Sequence, residues 1–439
     1  MSPMAAIGDS VRRALFGVVT VVAAAVAPPD GVAADARPRV IVSTDAGGTD
    51  YDDLQSLVHL LLYADAIDLE GLVSSPYGPG RMKHILDVVD VYARDVPALR
   101  RHSADYPDAE SLRRMTVQGA TDPSGPAGYG TTTDGSDWIV TCARRDDPRP
   151  LWVLVWGGIE DVAQALHDDP SIESKLRVYF IGGPNKKWSP ACYDFLAREH
   201  PGLWIIEANS TYRGWFVGGD QSGAWGNDSF VASRVAGRGA LGDYFAHGIT
   251  FGGESRSRLK MGDSPSLAYV LHGRPEAPAH GSWGGAFVRA WDREREVWRR
   301  PPQAEDVLET FRVVEIVLPA STSCVAAGMA TMEVDGFACP GTRGADNAWH
   351  FWFCPKESKV WRYTIESTDQ AVNGLAGTFR SAPPPPERRH EPSPRYPHWW
   401  TDDPDPSMAE GPHQGAKTVS RWRREFLEDF ARRLDRCRP

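Results

Sequence analysis

Four aspartates, Asp45, Asp50, Asp52 and Asp53, fall within the nine residues of the segment 45–53. Carboxylates this close repel and raise one another's pKa, so such a loop is either open to water or wrapped around a hard cation that takes oxygen ligands. Gly47 and Gly48 favour wrapping, because a glycine pair lets the backbone turn tightly enough for several oxygens to converge. The chemistry this offers is a calcium-type site, with a spare carboxylate to act as a base.

The loop sits between an apolar run, Val40-Ile41-Val42, and a helical pattern that starts at Leu54. That strand-loop-helix order recurs as far as about Gly273. Strands are expected at Val40 to Ser43, Asp68 to Val73, Leu151 to Trp156, Val178 to Ile181 and Trp204 to Glu207, with helices at Leu54 to Tyr63, Met82 to Arg94, Glu160 to Leu166 and Ala191 to Glu199. Alternation of this kind gives an α/β fold, an open and mostly parallel sheet flanked by helices. Ligands in such sheets gather beyond the carboxyl ends of the strands, where Asp45 to Asp53, Ser74 to Gly80, Gly157-Gly158, Gly182-Gly183-Pro184-Asn185 and Ala208-Asn209 all follow a strand directly. Five loops are therefore expected to line one cleft.

After about Arg300 the text changes. Residues 306–382 read as a small β-rich insert, with β-type runs Phe311 to Leu318 and Val360 to Ile365. A proline-rich linker spans 383–397, and the segment 398–439 returns to the main domain of residues 37–300. Its helix carries Trp422, Phe426, Phe430 and Leu434 at four-residue spacing, one apolar face to dock on that domain.

Residues 1–36 read as a signal peptide, with Arg12 and Arg13 ahead of an apolar run that ends in small residues near Ala33 to Ala36. The expected location is secreted, extracellular or periplasmic, where calcium fills even weak oxygen sites. All six cysteines follow that segment, where disulfides could form, but six allow fifteen pairings, and no CxxC pair supports zinc. A net charge of −10 argues against a nucleic-acid partner. The amino-terminal apolar run is shorter than a typical spanning helix, and no other segment is long or apolar enough to span a bilayer. His59 lies in an apolar helical stripe and is expected to be a core or surface residue.

Several of these segments carry a family resemblance: the acidic loop, Leu151 through Asp161, Phe180-Ile181-Gly182-Gly183, Glu207-Ala208-Asn209, Gly262-Asp263-Ser264-Pro265 and Trp283-Gly284-Gly285. Their order resembles the nucleoside hydrolase fold, and more closely the nucleoside hydrolase-like DUF1593 group, often labelled cellulose-binding Sde182-type proteins. The resemblance covers about residues 38–295 and resumes at Trp399 to Cys437. It implies a calcium ion held by Asp45, Asp53, the Trp156 carbonyl and Asp263, with Asp50 able to stand in for a neighbour. It implies that Asp45 is also the catalytic base and that Asp52, Asn185, Glu207 and Asn209 bind substrate. The implied activity is hydrolysis of a glycosidic bond in a carbohydrate or an N-riboside, with water activated at the metal attacking the anomeric carbon. The alternative is a carbohydrate-binding protein that has lost turnover. A small molecule, oligosaccharide or polysaccharide is the implied ligand, and a homodimer is an assembly the family allows.

Two departures bear on the ligand. The acidic loop is longer than the family's, and Gly262 stands where several nucleoside hydrolases have a histidine. A nucleobase leaving group is thereby less well supported than a sugar, for which Trp188, Trp215 and Trp225 are candidate stacking residues. His247 and His280 are the nearest histidines in sequence.

Overall fold

Continuous β-branched and apolar runs form the central strands where the sequence predicts them. In the computed structural model, which describes residues 37–75, 77–321 and 328–439, the predicted ones are β1 (Arg39–Thr44), β2 (Asp68–Ser74), β4 (Leu151–Val155), β5 (Leu176–Phe180) and β6 (Trp204–Glu207), and the sheet adds an unpredicted β3 (Thr116–Gln118). Every residue of β1, β4 and β6 is buried. Unbroken burial is what a parallel sheet covered on both faces requires, and it explains why these strands show no polar alternation.

The sheet has eight strands in the order β3-β2-β1-β4-β5-β6, then Trp399–Asp402, then Phe287–Arg289. All neighbours run parallel except the last pair, which is antiparallel. The order runs outward in both directions from β1 and β4, so the topological switch lies between those two strands. Loops at a switch point diverge to opposite faces and leave a crevice, which is where open α/β sheets place their ligands. The acidic loop follows β1 and Trp156 follows β4, so the topology puts both on that crevice.

One face of the sheet packs on helix α1 (Asp52–Leu62), the helix Met82–Leu99 and the carboxyl-terminal helix Arg423–Asp435. The other packs on the helices Asp134–Ala143, Glu160–Asp168 and Pro190–Glu199. The predicted apolar face of the terminal helix is real, since Phe426, Phe430 and Leu434 are fully buried. At about 1.5–3 kcal/mol for each large apolar side chain removed from water, this stripe is enough to hold the tail in place. His59 is edge-on to Tyr63, Phe426 and Phe430. Burial pushes its pKa down to about 3, which makes it a neutral core residue.

The region between Glu296 and Ala382 forms two sheets, one of four strands and one of five. In Val360–Ser367 the side chains of Trp361, Tyr363 and Ile365 point inward while Arg362 and Thr364 point out, the two-residue period of a half-covered strand. Both sheets contribute to a separate apolar cluster, so the insert is a small sandwich with its own core. Residues 37–439 nevertheless form one compact unit by their contacts.

The five described cysteines are buried thiols with no disulfide among them. Cys324 and the expected signal segment, residues 1–36, lie outside the described residues. Among the described residues no helix is long and apolar enough to cross a membrane.

Candidate metal and substrate site

Strand β1 ends at Thr44, whose hydroxyl donates to Asp53 at the start of α1 and accepts from the Ala46 backbone N–H. A single threonine thus ties together the entry and exit of the acidic loop. Inside the loop, Gly48 N–H donates to the Asp45 carbonyl at 2.7 Å. Gly47 takes a φ of +79°, and a Cβ there would stand 2.4 Å from the His84 ring. Both features require glycine, and they bring His84, in the first turn of the helix Met82–Leu99, against the loop. Nothing in the spacing of the sequence signalled His84.

Asp263 arrives from the far side, just ahead of the helix Ser264–Leu271. A short relay fixes its backbone to β4: Trp156 Nε1 donates to Ser266 Oγ at 2.7 Å, and that hydroxyl donates to the Asp263 carbonyl at 2.6 Å. Carboxylate oxygens of Asp52, Asp53 and Asp263 then lie within 4.8 Å of one another, all buried. Asp45 shares a hydrogen bond with Asp53. Burial and mutual repulsion raise all four pKa values, Asp45 to about 7 and Asp53 and Asp263 well above the ordinary range.

Asp263 Oδ2 is buried and has no hydrogen-bond partner. An orphaned carboxylate oxygen beside two other carboxylates is costly unless a cation completes the group, so the donor set fits a hard divalent ion with oxygen ligands. Asp52, Asp53 and Asp263 are the side chains placed to hold it, with Asp45 against Asp53.

The other expected ligands have different surroundings. The Trp156 carbonyl accepts from Asn185 Nδ2 at 2.6 Å, and the same amide donates to the Ile181 carbonyl at 3.0 Å. The Asn185 amide therefore ties the ends of β4 and β5 together. Asp50 stands apart from the trio, with its carboxylate against Lys260 Nζ. Lys260 also lies 3.3 Å from Asp52 Oδ1 and counters part of the cluster's charge. No motif in the sequence marks Lys260, although it lies three residues before Asp263.

Glu207 departs most from expectation. Its carboxylate is fully buried, 2.8 Å from Lys186 Nζ and 2.8 Å from Arg293 Nη1, and accepts from Tyr193 Oη at 2.6 Å. With two cations and a phenol around it, Glu207 is engaged as a structural anion and not presented to a sugar. Asn209 follows it, with its backbone N–H held at 3.2 Å by Asp402 from the carboxyl-terminal strand. The Asn209 Oδ1 atom is buried without a partner. Trp215 is fully buried and stacked on Phe426 at 3.5 Å, so it is core and not a stacking platform. His247 and His280 are both exposed, the latter 3.4 Å from Arg274.

Gly262 has a steric reason. A Cβ at this position would stand 2.2 Å from Asp52 Oδ2, so the space that a side chain would need is filled by the Asp52 carboxylate. Gly262→Ala is expected to displace Asp52 and weaken the affinity for a divalent ion by about 10- to 100-fold, as loss of support behind a ligand does. Calorimetric titration with divalent cations checks this, and an unchanged affinity would show that Asp52 is not a ligand.

Residues 39–287, over half of the chain, match the family described as cellulose-binding Sde182, nucleoside hydrolase-like domain. Among solved structures, a nucleoside hydrolase-related protein from Saccharophagus degradans, associated with carbohydrate metabolism, is 20% identical with a TM-score of 0.48. That match covers 79% of this chain and 100% of the other. A plant nucleoside hydrolase is 14% identical with a TM-score of 0.37, covering 57% of this chain and 82% of its own. The inosine-uridine preferring nucleoside hydrolase from Bacillus anthracis is 16% identical with a TM-score of 0.35, covering 58% and 85%. No curated protein matches the chain.

Proposed function

Since the chain belongs to the cellulose-binding Sde182 family through its nucleoside hydrolase-like domain, we propose that it is a secreted, calcium-dependent hydrolase of glycosidic bonds that acts on a carbohydrate. The observation that carries this reading is the trio Asp52, Asp53 and Asp263, buried at the topological switch with one oxygen unpartnered and Asp45 beside it. When bound, a calcium ion supplies positive charge that makes water a better nucleophile and holds neighbouring hydroxyls in register.

The chain's own residues do the rest. Asp45, buried and hydrogen-bonded to Asp53, is placed to take a proton from the attacking water. Asp52, steered by Lys260, faces the same space and accepts from a sugar hydroxyl. The carboxylates together stabilise the positive charge that develops at an anomeric carbon as its bond to the leaving group breaks. Export rests on Arg12, Arg13 and the apolar run that follows them.

Asp45→Asn removes the base while keeping the shape. It is expected to lower turnover by about 10²- to 10⁴-fold, the usual contribution of general base catalysis, with ligand affinity retained. The readout is hydrolysis of furanosides, pyranosides and nucleosides by the calcium-loaded protein, alongside calorimetric binding. A second reading, binding without turnover, is favoured by Gly262, which leaves no side chain at the place from which the family's histidine would act. If the wild type binds polysaccharide but cleaves no member of that substrate panel, this second reading replaces the first.

A further inference from the structure

A cavity of about 450 Å³ lies between the α/β core and the β insert. Its core side is walled by Tyr77 and Trp188, and its insert side by Phe337 and Trp352. Tyr77 and Trp188 stack at 3.9 Å, and the Tyr77 hydroxyl donates to the Trp188 carbonyl at 2.7 Å, so the pair is a rigid platform. Phe337 stands edge-on to Trp188 at 5.2 Å, and Lys187 Nζ lies 4.0 Å from the Trp188 ring centroid. All four aromatic residues remain partly exposed, unlike the buried Trp215.

The cavity adjoins the acidic loop. A Cβ at Gly48, in the middle of the acidic loop, would stand 2.4 Å from the Tyr77 carbonyl, so the segment that carries the aromatic platform packs directly on the loop. The volume falls within the range of small-ligand sites. Aromatic side chains suit the C–H faces of a pyranose, while Lys187 and the Ser124 and Thr342 hydroxyls offer donors to its oxygens. The lining contains no arginine, so nothing in it pairs with a phosphate in a bidentate way.

We propose that this seam is a second subsite, in which Tyr77, Trp188 and Phe337 hold a sugar ring of a neutral oligosaccharide whose adjoining ring lies at the Asp52, Asp53 and Asp263 cluster. The inference rests on the reading of that cluster as a glycosidic site. It gives the β insert a function, since Phe337 and Trp352 come from it, and it makes a chain of sugars the preferred ligand over a nucleoside.

The test is calorimetric binding of glucose, cellobiose, cellopentaose and inosine to the calcium-loaded full chain, in the wild type and in Trp188→Ala, Phe337→Ala and Asp263→Asn. Affinity is expected to rise with chain length. Trp188→Ala and Phe337→Ala are each expected to lower cellopentaose affinity on the order of 5- to 10-fold, as loss of one aromatic contact does, with glucose affinity little changed. Thermal melts identify a variant that fails to fold, and two variants on opposite walls guard against that outcome. The subsite is overturned if both folded variants bind cellopentaose as tightly as the wild type, or if they lose affinity for inosine and not for the glucan. The cluster reading fails separately, if Asp263→Asn binds glucose and calcium like the wild type.

Discussion

Glu207→Ala is expected to destabilise the protein by about 3–5 kcal/mol, because removing one member of a buried ion pair leaves its partners charged and uncompensated. Here the loss strands two cations, Lys186 and Arg293. Lys186 also donates to the Phe311 carbonyl at 3.0 Å, at a phenylalanine held at a φ of +65°, so the same cluster fastens the start of the insert to β6. Urea denaturation measures the effect, and limited proteolysis should find cleavage near Phe311 in the variant first. The pH dependence has a definite sign. Burial alone would raise the Glu207 pKa, but Arg293 and Lys186 outweigh it and hold the group at about 2 against an ordinary 4.5. A depressed carboxylate adds stability that is complete above the unfolded value and lost as the pH falls from about 4.5 towards 2. The wild type should therefore lose more stability than Glu207→Ala across that window. A variant that melts like the wild type at neutral pH would show that the cluster does not hold the fold.

Removing calcium is expected to have the next largest effect, and its size should grow with pH. In the metal-free protein Asp45, Asp53 and Asp263 have pKa values raised first by burial and then by one another. A raised carboxylate keeps its proton in the folded state after the unfolded chain has given its own up. Its contribution to stability is therefore whole below about 3.8 and declines as the pH rises towards the folded value. Calcium needs the deprotonated carboxylates, so its stabilisation should grow over the same range, reaching about 2.7 kcal/mol when the ion is present at 100 times its dissociation constant. Thermal melts from pH 5 to 8, with calcium and with chelator, should diverge as the pH rises. Curves that stay superimposed at pH 8 would mean that no divalent ion binds there.

The parallel sheet was legible because fully buried strands leave continuous apolar runs such as Val40-Ile41-Val42 and Leu151 to Val155. The acidic loop was legible because four aspartates in nine residues are rare without a purpose. Other elements left fainter traces. β3 is only Thr116–Gln118, and the strand Trp399–Asp402 follows a proline-rich stretch, so neither shows a repeating pattern, although the latter supplies Asp402 to hold Asn209. The roles of charged residues were least legible, because they depend on partners distant in sequence. Glu207 at a strand end reads as a site residue until Arg293 closes on it, and Asp50 reads as a ligand until Lys260 reaches it. Trp215 lies in loop-like text, yet the tail helix buries it against Phe426. Gly262 reads as a missing histidine, whereas its environment shows a carboxylate in the space where a side chain would begin.

The central claim is that Asp52, Asp53 and Asp263 form a metal site. It is tested most directly by native mass spectrometry of the protein equilibrated with calcium, set beside Asp53→Ala and Asp263→Asn. The account predicts one calcium ion per wild-type chain and none in either variant. A wild type that holds no calcium at millimolar concentration, or variants that hold it as the wild type does, would contradict it.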